Sequence, residues 1–174
     1  KDHYKKVADY MKDEFLNMKG LKGIIVGGPG ITVTDFLNKE YITGDVEKKI
    51  IGRKDLSYTG MFGLQELLDK SDDILAAESI ADEKKIMQRF FELLATKPGM
   101  VSYGKDEVMK NLNMGAIDIL LLSEDLDDKA LDEFEEIAEK LGTQMKIISV
   151  ETREGAQLKE MGKIVAINRY DLEK

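Results

Sequence analysis

The stretch YGKDEVMKNLNMGAIDILLLSEDL, residues 103–126, decides the fold. Gly104 makes a turn, residues 105–114 read as a helix, Gly115 ends it, and IDILLLS follows as a strong strand. A helix feeding directly into an apolar strand is the repeating step of a layered α/β protein. The stretch also completes a deceptive pattern, because Gly99, four residues, Gly104 and Lys105 match the opening of a phosphate-binding loop. Such a loop follows a strand and leads into a helix, so that backbone N–H groups meet the phosphates. Here a helix precedes Gly99, and the β-prone Val101 and Tyr103 fall inside the supposed loop. Asp106 stands where a Ser or Thr should hold magnesium. A carboxylate so close to a phosphate costs roughly several kcal/mol in a partly buried site. The match is rejected as a nucleotide site, and no cofactor is implied.

Outward from this strand the alternation continues. Residues 128–141 read as a helix ended by Gly142, with Leu131, Phe134, Ile137, Ala138 and Leu141 inward. MKIISV is the next strand, a short helix over 154–161 ends at Gly162, and KIVAINRY closes as a strand. Upstream, a short strand at 101–103 follows the stop at Lys97-Pro98-Gly99. Before that stop, Ile80, Ile86, Met87, Phe90, Phe91 and Leu94 form a helical stripe, which Ser79 with Asp82 would open as a capping box. The first part reads as a helix over 3–18, a strand at 24–26, a helix capped by Thr32 or Thr34 and running to Lys39, and a strand within KKIIGRKDLSY. A helix over 61–77 follows, with Leu64, Leu67, Leu68, Ile74 and Leu75 inward. The expected organisation is two small layered α/β domains, 1–78 and 79–174, carrying net charges of −2 and −6.

Composition narrows the function. Lys and Arg number 26 against 34 Asp and Glu, a net charge of −8, which disfavours a nucleic-acid domain because such a domain must displace cations from phosphates. There is no Cys and a single histidine, His3, so thiol catalysis, disulfides, cysteine-ligated zinc and a histidine triad are excluded. No metal site is expected. GIIVGGPG offers Gly28 and Gly30 to a dinucleotide fingerprint, but Val33 holds the third place and Pro29 removes an N–H donor, leaving a structural turn. The acids of SEDLDDKALDEFEE lack the spacing of a calcium loop and read as the solvated face of a helix, or else as a docking face for a basic partner. The nine Met residues read as core filler. No apolar run approaches the ~18 residues of a membrane span, so an acidic, soluble, cytoplasmic protein is expected.

The motifs together resemble one family. YGKDEVMKNLNMGAIDILLLSEDL resembles the part of the archaeal and eukaryotic class I peptide chain release factors in which a G-x-E helix leads to MGAVEIL and an acidic strand end. EGAQLKEMGKIVAINRY, residues 154–170, is similar to their closing EG-Q…GGIGGILRY; DEKKIMQRFFELL and DLSYTGMFGLQELL also have counterparts there. The resemblance runs over nearly the whole chain. It implies the latter part of a middle domain (1–78), which promotes peptidyl-tRNA hydrolysis, and a C-terminal docking domain (79–174). The second is an α/β/α sandwich similar to kink-turn-binding ribosomal proteins.

The family's Gly-Gly-Gln and Asn-Ile-Lys-Ser motifs are both missing from this sequence, and the first is expected just upstream of the helix that opens at Lys1. The resemblance implies no conventional enzyme and a likeness also to ribosome-rescue factors, with kink-turn-type RNA binding as a further alternative. The implied partners are the ribosome, a translational GTPase and the ABC-type ATPase that recycles ribosomes, with peptidyl-tRNA met through the missing part. A monomer is expected. Ile167, Arg169 and Tyr170 of the closing strand, with Phe90 and Phe91, are the implied partner-binding residues, the alternative being that Ile167 and at least one Phe are simply core. Lys163, Val165 and Ala166 occupy glycine positions of the related motif and Asn168 its leucine. Many relatives insert a small subdomain, sometimes zinc-binding, after LLLSEDL; here a helix follows almost at once.

Overall fold

The computed structural model describes residues 2–173; Lys1, where the sequence opens the first helix, and Lys174 lie outside them. Contacts divide the chain into two compact units between Ala77 and Glu78.

The first unit contains α1 (Asp2–Phe15), β1 (Ile24–Gly28), α2 (Thr32–Asn38), α3 (Gly44–Glu47), β2 (Ile50–Asp55) and α4 (Gly60–Lys70). β1 and β2 pair in parallel, Val26 facing Arg53, so α2 and α3 form the crossover that parallel strands require. Ala8, Ile24, Val33, Phe36, Val46 and Leu56 are its buried apolar residues among those described. Tyr4 adds edge-on ring contacts to Phe36 at 5.7 Å and to Tyr41 at 5.6 Å.

Several elements depart from what the sequence predicts. α2 has Ile31 at its N-cap and no side-chain cap, so neither threonine caps it. The helix expected over 61–77 breaks at buried Ser71, whose hydroxyl donates to the Leu67 carbonyl while its own carbonyl accepts from Leu75 N. α5 then runs from Asp72 to Thr96 without a restart at Ser79. It contains no Gly or Pro, so nothing in its backbone favours an interruption and the capping box does not form. Leu64, Leu68 and Leu75 are exposed instead of inward. Gly63 takes the packed position, with Tyr58 O only 2.7 Å from where a Cβ would stand.

The second unit continues with a 3-10 turn (Pro98–Met100), β3 (Val101–Tyr103), α6 (Lys105–Asn113), β4 (Ile117–Ser123), α7 (Asp128–Leu141), β5 (Gln144–Ile148), α8 (Arg153–Glu160) and β6 (Ile164–Asn168). The sheet order is β3-β6-β4-β5; β4 and β5 run parallel, and β6 is antiparallel to both its neighbours. Apart from Asp118, β4 is apolar or buried throughout, as a central strand covered on both faces must be.

Alternate residues of β6, and of β4 from Ile119 onward, feed two cores; the register shift before Ile119 puts Ile117 on the second. On one face Ile119, Leu121, Val165 and Ile167 meet Met87 and Phe90 of α5 and Leu158 of α8. On the other, Ile117, Leu120, Leu122 and Ala166 meet Val108 and Leu112 of α6 and Phe134 and Ala138 of α7. The result is three layers, α/β/α. Two helix starts are capped by side chains, Asp127 accepting from Ala130 N at 3.0 Å and Thr152 from Gly155 N at 2.9 Å.

Candidate functional site

The glycines of the deceptive phosphate pattern serve two unrelated packing needs. A Cβ on Gly99 would run into the Asp171 carboxylate, so the tail beyond β6 lies directly on this residue. Gly104 turns the chain from β3 into α6 at φ +87°, with its N–H given to the Ile164 carbonyl at 3.0 Å. In GIIVGGPG the Pro29 carbonyl accepts from Thr32 N at 3.2 Å, closing a turn. Beside it, Gly27, Gly28, Tyr58, Met61, Leu64 and Leu67 line an apolar groove of about 650 Å³ at the carboxyl ends of β1 and β2. Among the described residues no group of three or more His, Asp or Glu could hold a metal ion. α7 turns Asp132, Glu133, Glu135, Glu136 and Glu139 to solvent. Lys140 bonds Glu136 at 2.7 Å and holds that carboxyl below its usual range; Lys159 does the same for Asp125 at 2.7 Å.

The five residues singled out in the sequence separate on folding. Ile167 and Phe90 have no exposed surface, and both lie in the same core cluster. They cannot touch a partner; the expectation of contact is corrected to one of support. Burying such side chains is worth about 1.5–3 kcal/mol each, so they hold the sheet against α5. Phe91 is half-buried, its ring edge-on to Phe90 at 5.4 Å. Arg169 and Tyr170 emerge from the carboxyl end of β6, and Tyr170 is 52% exposed.

Arg169 is anchored twice before it reaches solvent. Its backbone N–H donates to the Ala116 carbonyl at 2.8 Å and its Nε–H to the Ile117 carbonyl at 3.0 Å. These carbonyls lie where β4 begins, beside a register shift between Ile117 and Ile119 that pushes Asp118 outward. A bulge of this kind re-aims nearby side chains. The Nε bond orients the guanidinium while leaving the terminal nitrogens for other acceptors. Two residues before Ala116 stands Met114, 59% exposed. Met, Arg and Tyr are the side chains enriched where proteins meet. Sequence reading missed Met114 because it counted the methionines as core; its position just before the Gly115 stop was the available signal.

Family models cover almost the entire chain: one described as eRF1 domain 2 matches residues 1–79, and one described as eRF1 domain 3 matches residues 80–172. Peptide chain release factor subunit 1 of Methanobrevibacter smithii is 36% identical over 211 residues, covering 95% of this chain and 51% of that protein. The same-named protein of Thermococcus sibiricus is 35% identical over 219 residues, covering 97% and 53%. This chain thus spans about half the length of these relatives. The matched stretches exceed its 174 residues, so those relatives carry segments absent here. At the place where the resemblance puts an insertion, only Glu124, Asp125 and Leu126 separate the end of β4 from the Asp127 cap. Among solved structures, the archaeal translation termination factor aRF1 is 30% identical with a TM-score of 0.51, covering 97% of this chain and 50% of that one. Pelota of Archaeoglobus fulgidus is 28% identical with a TM-score of 0.60, covering 100% and 55%. Dom34 of S. cerevisiae, described as a translation termination-like factor interacting with Hbs1, is 25% identical with a TM-score of 0.58, covering 99% and 52%.

Proposed function

The chain belongs to the eRF1 family of peptide chain release factors, and from that premise we propose that it acts in translation termination. It is the scaffold and partner-docking part of a factor that directs hydrolysis of peptidyl-tRNA at stop codons. Residues 1–78 are the latter part of the middle domain, without its Gly-Gly-Gln loop, and 79–174 the docking domain. The factor works in the cytoplasm, on the ribosome, as a monomer. Its partners are a translational GTPase and the ABC-type recycling ATPase. The chain supplies no nucleophile–base pair of its own in this role, having one histidine and no cysteine.

The observation that carries the docking role is the exposure of Met114, Arg169 and Tyr170 where β4 begins and the fully buried β6 ends. Such a surface combines a large apolar area with an oriented planar charge, on a support that need not rearrange to bind. Ribosome rescue is the second reading, favoured by the likeness to Pelota over the full chain. Kink-turn RNA recognition is disfavoured by the −6 charge of residues 79–174.

The test is calorimetry with a translational GTPase, paired with thermal melting. Tyr170→Ala is the cleanest variant because its ring is half in solvent; it should weaken binding by about 2 kcal/mol, roughly thirtyfold, with melting unchanged. Arg169→Lys keeps the charge and loses the Nε bond to Ile117, so it should weaken binding and lower stability slightly. Wild-type affinity in Tyr170→Ala would show that this end is not the interface.

A further inference from the structure

β6 is apolar and buried from Ile164 to Ile167, yet its last residue, Asn168, is equally buried. A buried amide is tolerable only when its groups are bonded. Here Oδ1 accepts from the Ser102 hydroxyl at 2.8 Å and Nδ2 donates to the Gly99 carbonyl at 3.1 Å. Ser102 in turn accepts from Asn111 Nδ2 at 2.8 Å. The chain of bonds links α6, β3, the end of β6 and the 3-10 turn. Its last acceptor, the Gly99 carbonyl, also receives the Leu172 N–H at 3.0 Å. One carbonyl therefore joins the Asn168 side chain to the returning tail, and Asp171 seals the arrangement by lying where Gly99 lacks a side chain.

We propose that Asn168 is a positioning residue for the docking end. Through Ser102 and Gly99 it sets the course of residues 169–173 and so the direction in which Arg169 and Tyr170 leave the sheet. Arg169 is clipped to the start of β4 on one side; the Asn168 network fixes the segment on the other. The leucine that stands here in the related closing motif has neither polar group, so it would leave the Ser102 hydroxyl without its acceptor and Gly99 without one donor. This inference rests on the docking reading only for what the geometry is used for.

The experiment measures amide hydrogen exchange at Leu172 by NMR in the full chain, without any partner. In Asn168→Leu this amide should exchange roughly tenfold faster or more, the scale of one net buried hydrogen bond. Melting should fall too, which a merely structural residue would also cause. The double variant Asn168→Leu/Ser102→Ala separates the two effects. The second substitution relieves the orphaned hydroxyl but takes the acceptor from Asn111 Nδ2, so melting should recover only in part while Leu172 stays fast. The double variant also serves if Asn168→Leu alone fails to fold. Wild-type exchange at Leu172 in the double variant overturns the proposal and leaves docking untouched. Fast exchange with wild-type GTPase affinity keeps Asn168 as the residue that orders the tail and overturns its link to docking. Fast exchange with weakened affinity supports both.

Discussion

Glu66 shows how far one carboxylate can be specialised by its neighbours. Its oxygens pair with Lys70 at 2.9 Å and accept from Ser57 N at 3.0 and 2.9 Å and from Tyr58 N at 3.0 Å. The Lys70 bond first, then the Ser57 N–H, lowers its pKa from an ordinary 4.5 to about 2. A folded-state pKa below the unfolded one contributes stability that is complete above the unfolded value and disappears as pH falls through the folded one. Glu66→Gln should therefore melt below wild type at pH 6, and the gap should close between pH 4.5 and 2. A gap independent of pH would mean that the carboxylate's charge contributes nothing. At this scale a motif resemblance singled out Arg169 and Tyr170, which the structure leaves exposed. The Asn168 network and Glu66 were not legible in the sequence, because each depends on partners brought in by folding, up to 69 residues away in the case of Asn168 and Gly99; Met114 was passed over as core filler.

Along α5 the two adjacent phenylalanines differ by about 100° of helix rotation, and that angle separates a core residue from a partly exposed one. Phe90 is fully buried among Met87, Ile167 and Leu158; Phe91 only leans on that cluster. Phe90→Ala should cost about 3–5 kcal/mol, and Phe91→Ala clearly less, as read by urea denaturation. Equal losses would contradict the burial. The stripe of apolar residues announced the helix, but it was too wide to say which of the pair faces inward. α4 carries the same lesson in reverse. Its leucines have helical spacing, yet a two-stranded sheet is too narrow to cover them, and Leu64 and Leu68 remain in solvent.

At the scale of the molecule the two units are unequal. Among the described residues the first buries six apolar residues and the second twenty. Since burial is the main favourable term in folding, residues 2–77 should open at lower free energy than 78–173. Exchange measured by mass spectrometry should show β1 and β2 losing protection at a lower denaturant concentration than β4 and β6; one coincident transition would refute this. The sequence by itself determined the alternation of helices and strands from β3 to β6, the strong central strand and the family resemblance. All of these rest on spacing and on residue chemistry within a few positions. Only the tertiary structure decided that α5 runs unbroken past Ser79, that β6 lies antiparallel between β3 and β4, and that Ile167 and Phe90 are support while Arg169 and Tyr170 are surface. Those outcomes depend on which neighbour reaches each side chain first, and pairing across a sheet joins residues that no local pattern relates.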